Sequence, residues 1–448
     1  MKVLVVGTGG REHALALALS RDPDVCEVHA APGNPGIGEV ATLHDVDLMD
    51  GPGVASLATS IGADLVVVGP EAPLVAGVSD AVRDAGILCF GPSGAAARLE
   101  GSKAFSKQVM ATAKVPTAGS HTCTTPEQTA AALDAFGAPY VVKDDALAAG
   151  KGVVVTSDRA EALDHAAACR RVVVEEFLDG PEFSLFVLCD GSIGRPLLPA
   201  QDFKRIHDGG RGPNTGGMGS YAPLAWLPEG IVETVMEQVV APTLAEMRRL
   251  GAPFVGCLYV GLALTAAGPK VIEFNVRFGD PDIQPVLALL ESPLGALLHG
   301  AASGDLASVP APTFADGAAV TVVMASAGYP EGSRSGDVVV GTETLAVEGD
   351  VDVIHAGTAR VLPGSPDEGQ LVTAGGRVLA VRASGTDVAD ARAKAYVGVA
   401  SISFPGAQWR RDIAAEPLGV VEGSSSLESS ADAVVSDAGP ITRLDKES

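Results

Sequence analysis

Aromatic residues are scarce. They make up 4% of the 448 residues, so the cores of this chain are built from valine, alanine and leucine rather than from stacked rings. Basic residues are outnumbered, with 31 lysines and arginines against 55 aspartates and glutamates and a formal net charge of −24. A surface of that sign argues against nucleic acid or an anionic membrane as the main partner. It leaves an anionic small molecule open, because local cations decide that. No apolar run reaches the ~20 residues that cross a bilayer, and no basic-then-apolar segment opens the chain. A cytoplasmic protein is expected. The six cysteines (Cys26, Cys89, Cys123, Cys169, Cys189 and Cys257) form no Cys-x-x-Cys and read as small buried residues in a reducing compartment. Neither His-x-x-x-His nor His-Glu-x-x-His occurs among the eight histidines, so no zinc site is expected. The Gly-x-Ser-x-Gly elbow of a serine hydrolase is missing too.

Glycine, by contrast, stands in telling places. "VVGTGGREHAL" (5–15) joins an apolar strand to a helix through a glycine turn. A dinucleotide fingerprint needs Gly-x-Gly-x-x-Gly and an acid at the end of the second strand. Gly7 and Gly9 fit, but the third position is Glu12, and the second strand ends in Ala30 and Ala31. The nicotinamide reading fails at both places. A helix N-terminus with Gly9, Gly10 and Arg11 still suits a phosphate, the alternative being a tight turn with a surface arginine.

The first hundred residues alternate short strands ("KVLVVG", "DLVVVG", "GILCFG") with Ala-rich helical segments such as "EHALALALS" and "LVAGVSDAVRDA". That alternation predicts a doubly wound parallel sheet with ligand loops at the strands' carboxyl ends. "GTGGRE", "APGNPG" and "GPEAPL" are those loops. Glu71 in the last is either a binding residue or a helix start. From 102 the rhythm changes. A helix over "GSKAFSKQVMATAKVP" is followed by longer strands with one helix between them, an α+β lid over about 116–186 within a unit spanning 102–310. A β-rich module over 311–418 and a Ser-rich acidic tail over 419–448, expected to be disordered, complete the chain.

Four stretches carry chemistry. In "KDDALAAGKGV", Lys143 ends a strand, and Gly150, Lys151 and Gly152 form either a phosphate-covering loop or a hairpin turn; no Ser or Thr follows, so it is not a Walker loop. In "VVVEEFLDGPE", Phe177 and Leu178 offer an apolar slot for adenine and Glu182 a carboxylate for ribose, the alternative being a strand exit with solvated acids. "KVIEFNVRFGDPD" alternates Glu273 and Asn275 with apolar residues, which puts an acid and an amide on one strand face beside Arg277. That pair suits Mg²⁺ bridging nucleotide phosphates. In "QDFKRIHDGGRGPNTGGMGSY", Asp202, Lys204, Arg205 and Arg211 precede a turn where Thr215, Gly216 and Gly217 fit a carboxylate or phosphoryl group, unless it is a mobile surface loop.

Together with "LEGSKAFSK" and "HAGT", these stretches resemble the glycinamide ribonucleotide synthetases, also called phosphoribosylamine–glycine ligases, from residue 1 to about 415. The resemblance implies an α/β protein with a nucleotide-binding-like N-terminal domain, a two-part ATP-grasp core and a C-terminal β-rich domain. It implies ligation of glycine to 5-phosphoribosylamine at the expense of ATP in purine synthesis, with Mg²⁺ and manganese as its substitute. Nucleic acid and membrane partners are not implied, and a monomer is expected. By motif, Lys103 and Lys143 contact ATP phosphates, Glu175 and Glu176 with Phe177 and Leu178 form the adenine slot, and Glu182 holds ribose. Glu273 and Asn275 hold the metal. Arg277, Asp202 and Arg211 lie on the carboxylate and transition-state side. Gly9, Gly10, Arg11, Gly33 and Asn34 take the ribosyl phosphate. The sequence departs from the family pattern at Asp144, Ala146 and Asp282, and the strand "FVGCLYVGLAL" offers no third metal-binding acid.

Overall fold

The computed structural model describes residues 1–146, 152–344, 350–364 and 368–415. The expected tail and the loop residues Gly150 and Lys151 lie outside them.

The N-terminal region is a parallel sheet in the order β3-β2-β1-β4-β5, formed by β1 (Lys2–Gly7), β2 (Glu27–Pro32), β3 (Thr42–Leu43), β4 (Leu65–Val68) and β5 (Leu88–Phe90). β1 is central, and Val3 to Val6 are fully buried because helices cover both faces. The carboxyl ends of β1, β2 and β4 bring the three glycine loops to one edge. "LVAGVSDAVRDA" is two helices rather than one: Glu71–Val75 and Val78–Asp84 are parted by Gly77 at φ +86°. A left-handed residue cannot continue a helix, and glycine takes that conformation without penalty.

The lid is an antiparallel sheet in the order β6-β9-β7-β8, from β6 (Ser120–Cys123), β7 (Tyr140–Asp144), β8 (Val153–Thr156) and β9 (Val172–Glu175). Helices Pro126–Phe136 and Arg159–Ala167 bury Leu133 and Ala162 against it. A second antiparallel sheet, β11-β10-β16-β17, contains β10 (Glu182–Asp190), β11 (Gly194–Pro196), β16 (Val255–Thr265) and β17 (Gly268–Asn275).

A third sheet crosses the boundary expected near residue 310. Its order is β12-β15-β18-β22-β19, with β12 (Gln201–Asp202) and β15 (Gly219–Ala222) paired to β18 (Ala318–Ala325), β22 (Arg377–Gly385) and β19 (Val351–His355). The polar glycine-rich stretch after residue 200 is therefore anchored in the C-terminal sheet. Between β12 and β15 it runs out as the ribbon β13 (Arg205–His207) and β14 (Arg211–Asn214). A ribbon of β20 (Thr358–Arg360) and β21 (Leu371–Thr373) flanks this sheet.

The cysteine expectation is corrected in part. Cys89, Cys123, Cys189 and Cys257 are buried free thiols, but Cys26 is exposed and Cys169 half-buried. Cys26 lies in the turn before β2, where the chain runs over the surface.

Candidate active site

β17 supplies the centre. Glu273 and Asn275 share one of its faces, and Asn275 sits opposite Tyr259 of β16. Burial works against the charge of Glu273, yet Lys143, Lys204, Lys103 and Arg277 hold its carboxyl below the ordinary value. Lys143, Lys204 and Arg277 also pair with Glu175, Glu182 and Glu100, so Glu273 sits within a network of alternating cations and acids. Opposite Glu273 in the β16 register stands Gly261, and a Cβ there would lie 3.4 Å from Glu273 Cγ. The space beside Glu273 is left open by a glycine. Among the described residues no group of three or more His, Cys, Asp or Glu is placed to hold a metal. A carboxylate and an amide are hard oxygen donors, a set that fits Mg²⁺ sharing its remaining positions with phosphate oxygens.

Lys143, next to last in β7, reaches across, donating to the Ile272 carbonyl at 3.0 Å and pairing with Glu175 at 3.1 Å. Glu175 also pairs with Lys107 at 3.0 Å, and all three are buried. Burial pulls Lys107 down, and Lys143 adds to this against the pull of Glu175. Lys107 was not anticipated from the sequence. Its signal is the four-residue spacing from Lys103, which puts both on one face of helix Lys103–Ala113. Lys103 Nζ donates to the Ala146 carbonyl at 3.3 Å, where the lid loop begins. Asp145 anchors the same place, accepting from the Ala104 amide at 2.8 Å and the Ser102 hydroxyl at 3.1 Å. Along the exit of β9, the Glu176 carboxylate accepts from the Gly119 amide at 3.2 Å, and Phe177 is exposed with Leu178 half-buried beside it. Glu182 pairs with Lys204 at 2.6 Å, and Lys204 holds its carboxyl below the ordinary value.

Arg277 is gripped by two acids. It lies 3.1 Å from Glu100 and 3.3 Å from Glu71, and its Nη1 donates to the Phe278 carbonyl at 3.2 Å. Burial opposes its charge, and Glu100 and Glu71 raise its pKa above the usual guanidinium value all the same. Glu100 also accepts from the Val276 amide at 2.8 Å. Glu71 begins the helix Glu71–Val75, one of the two readings the sequence left open, and it faces Arg277 and Arg11, which outweigh burial and lower its carboxyl. Glu100 escaped the sequence reading because "LEGSKAF" directs attention to its lysine.

The four charged residues of the fourth stretch part company. Asp202 and Lys204 face the cleft: burial pushes Asp202 up against the pull of Lys204, with Asp282 and Glu182 adding to the rise. Asp282, one of the departures, is buried with Ser184 at 3.1 Å and Tyr259 at 3.0 Å. Arg205 and Arg211 lie exposed on the β13–β14 ribbon, donating to the carbonyls of Gly212 (2.8 Å) and Asp208 (3.2 Å). The turn that follows is firmly held. Thr215 Oγ1 donates to the Lys204 carbonyl at 2.8 Å and accepts from the Gly217 amide at 3.0 Å.

At the N-terminal turn, Glu12 folds back over its own helix. Its carboxylate accepts from the Gly9 amide at 2.6 Å and from Arg11 Nε at 2.5 Å, and Arg11 Nη1 donates to the Phe278 carbonyl at 3.1 Å. A Cβ on Gly69 would lie 2.0 Å from Glu12 Oε1, so that glycine makes the room this acid occupies. The position that excluded a dinucleotide thus carries a helix-capping acid. Gly33 turns at φ +73°, and the Asn34 amide is spent on the carbonyls of Thr8 (2.8 Å) and His355 (3.0 Å) and on the Ile37 amide (2.9 Å). Any ligand contact at 33–34 falls to the backbone.

A two-part antiparallel core with a lid lysine, Lys143, reaching a Glu-x-Asn strand defines the class: an ATP-grasp protein. The chain matches the descriptions "Phosphoribosylglycinamide synthetase, N domain" over residues 1–100, "ATP-grasp (A) domain" over 101–283 and "C domain" over 319–416. It belongs to the phosphoribosylglycinamide synthetase family. It is 60% identical to the phosphoribosylamine–glycine ligase of Streptomyces coelicolor over 422 residues, 94% of this chain and 100% of that protein. It is 54% identical to the Mycobacterium bovis enzyme of the same name over 436 residues, 95% and 100% of the two chains. The crystal structure of the Thermotoga maritima phosphoribosylamine–glycine ligase superposes with a TM-score of 0.79 at 31% identity, covering 92% of this chain and all of that one. The biotin carboxylase domain of Hydrogenobacter thermophilus 2-oxoglutarate carboxylase, at 16% identity and a TM-score of 0.67 over 91% of each chain, shares the fold.

Proposed function

We propose that this protein ligates glycine to 5-phosphoribosylamine, forming glycinamide ribonucleotide, ADP and phosphate in purine biosynthesis. The observation that carries the reading is the cation-ringed Glu273, with Asn275 beside it and Arg277 beyond. Carboxylates do not acylate amines at neutral pH. A glycine carboxylate oxygen therefore attacks the γ-phosphorus of ATP and ADP leaves. The ribosylamine nitrogen then attacks the carbonyl of glycyl phosphate, phosphate departs with one former glycine oxygen, and the new amide gives up a proton. Among the residues of the cleft none need act as a nucleophile. Positioning and charge neutralisation are the protein's part in phosphoryl transfer.

Lys103 and Lys143 are assigned to the phosphates of ATP, with Gly150, Lys151 and Gly152 closing over them. Lys107 and Glu175 hold Lys143 in place. The slot takes adenine between Phe177, Leu178 and the 175–176 backbone, and Glu182 takes ribose. Glu273 and Asn275 would hold Mg²⁺, which when bound offsets charge on the phosphates; manganese is proposed as a substitute. Arg277, fixed by Glu100 and Glu71, faces the reacting carboxylate. Asp202 and the Thr215–Gly217 turn lie on that side too, and Arg211 is proposed to approach from the neighbouring ribbon. Gly9, Gly10, Arg11, Gly33 and Asn34 receive the ribosyl phosphate.

The acidic surface supports an enzyme without nucleic-acid or membrane partners, acting as a cytoplasmic monomer. No helix among the described residues is long and apolar enough to cross a membrane. Product analysis with ATP, glycine and freshly generated phosphoribosylamine tests the reading. Glycinamide ribonucleotide and ADP should appear together, and omission of either glycine or the amine should abolish the product. ATP consumption with another acid or amine, and none with these, would refute it.

A further inference from the structure

One guanidinium ties three regions of the chain together. Arg377, at the start of β22, donates through Nη1 to the Gly216 carbonyl at 2.7 Å and to the Asp280 carbonyl at 2.5 Å. Its Nη2 reaches Asp280 Oδ2 at 3.2 Å. Gly216 is held from its other side as well, because its amide donates to the Tyr329 hydroxyl at 3.0 Å. Both backbone groups of that glycine are therefore fixed by side chains of the C-terminal region. The fit leaves no slack: a Cβ on Gly216 would lie 2.9 Å from Arg377 Cζ, and one on Gly376 would lie 2.4 Å from the Tyr329 ring.

The Asp280 carboxylate extends the chain of contacts to the N-terminal turn. Oδ1 accepts from Gln284 Nε2 at 3.0 Å, and a Cβ on Gly10 would stand 3.2 Å from Oδ1 and 2.9 Å from Gln284 Nε2. Only glycine allows the first helix to come this close. Asp280 lies in the turn that follows β17 and Arg277. The Gly216 loop and the turn after β17 bound the acyl-transfer side, and Gly9 and Gly10 bound the ribosyl side. Arg377 thus joins the Gly216 loop to the Asp280 turn, against which Gly10 packs, and the assigned machinery includes neither it nor Tyr329.

We propose that Arg377, with Tyr329 supporting it, is a positioning residue for the second half of the reaction: it holds the acyl phosphate in register with the incoming ribosylamine nitrogen. The inference rests on the ligase reading above. A misplacement of about 1 Å costs up to ~10²-fold in such a step. The partners of Arg377 are Gly216 and Asp280, not Lys103, Lys143 or Glu273, so capture of the acyl phosphate by the amine should suffer more than ATP binding and phosphoryl transfer. Arg377→Ala then still makes glycyl phosphate but captures it poorly, and water takes the remainder.

The test measures ADP and glycinamide ribonucleotide in parallel for the wild type, Arg377→Ala, Arg377→Lys and Tyr329→Phe, with melting temperature recorded for each. For Arg377→Ala the expected result is an excess of ADP over product, a KM for phosphoribosylamine raised about tenfold and a KM for ATP within about twofold of wild type, as the partition argument requires. Lysine can serve the two carbonyls but not the fork to Asp280, so Arg377→Lys should recover part of the coupling. Tyr329→Phe, which removes one hydroxyl, should shift the ratio in the same direction by less; it keeps the test decisive if the alanine variant does not fold. A lower melting temperature with ADP and product still one to one in both Tyr329→Phe and Arg377→Lys would overturn the proposal and leave Arg377 a structural brace. A wild type that makes no glycinamide ribonucleotide would instead overturn the ligase reading, a distinct outcome.

Discussion

The backbone amide of His355 donates to Nδ1 of His13 at 2.7 Å, joining the first helix to β19 across 342 residues of sequence. The two rings meet edge to face with centroids 5.7 Å apart, and His355 Nδ1 lies 3.0 Å from the Thr358 hydroxyl. An Nδ1 that accepts a hydrogen bond belongs to a neutral ring. Burial, His355 and Arg382 pull His13 down to about 3 against Asp352, and burial with Arg360 pulls His355 down to about 4.

Stability should therefore depend on pH with a definite sign. In the unfolded chain both rings take protons near 6.5, while in the folded chain they stay neutral until about 3 to 4. The unfolded state binds more protons within that window, so stability falls as pH falls from about 6.5 toward 4, by about 3 kcal/mol for each ring. Melting curves from pH 7.5 to 4.5 check this. His13→Asn keeps an acceptor but does not titrate, and should flatten the curve; a slope unchanged from wild type would refute the assignment.

Glu273→Gln should abolish turnover, by at least about 100-fold, without unfolding the protein, since the effect expected is on charge at the phosphates. The neighbouring cations lose one acid but Lys143, Lys204 and Arg277 keep Glu175, Glu182 and Glu100, so only a small fall in melting temperature is expected. Titration with Mg²⁺ should fail to restore activity. Near-normal rates at saturating Mg²⁺ would refute the metal assignment.

Glu100→Ala removes the partner of Arg277 and leaves the Val276 amide without an acceptor, a stability loss of about 1–3 kcal/mol. Activity should fall further than stability explains, in kcat more than in KM for ATP. Steady-state kinetics well below the melting temperature separate the two effects. Equal losses in both parameters would contradict the role given to Arg277.

Arg11→Ala should raise the KM for phosphoribosylamine by an amount equivalent to roughly 1.5–3 kcal/mol, the range for a charge-assisted contact. The KM for ATP should stay within about twofold. The finding that Glu12 already holds Arg11 makes this test sharper, because the arginine must share itself between that acid and a phosphate. A collapse of ATP affinity instead would show the site to be misassigned.

The strand pattern of the first hundred residues and the Glu273–Asn275 alternation were legible because both rest on local periodicity, which a strand or helix transmits directly to side-chain direction. The strand "KVLVVG" and its glycine turn lie where the pattern puts them. What stayed hidden depends on long-range packing. Lys107 shares Glu175 with Lys143 only after helix and lid meet, Glu100 reaches Arg277 across 177 residues, and Arg377 reaches Gly216 across 161. Sequence spacing carries no trace of such distances. The break at Gly77 was missed because an Ala-rich, apolar-periodic stretch looks continuous until one glycine adopts a left-handed turn.

Direct transfer of phosphoryl from ATP to glycine is the claim on which the rest depends. Glycine labelled with ¹⁸O in both carboxylate oxygens tests it most directly. The phosphate released in each turnover should carry one labelled oxygen, because the C–O bond of glycyl phosphate breaks when the amine attacks. Phosphate free of label, with glycinamide ribonucleotide still formed, would contradict the acyl phosphate and with it the mechanism proposed for this cleft.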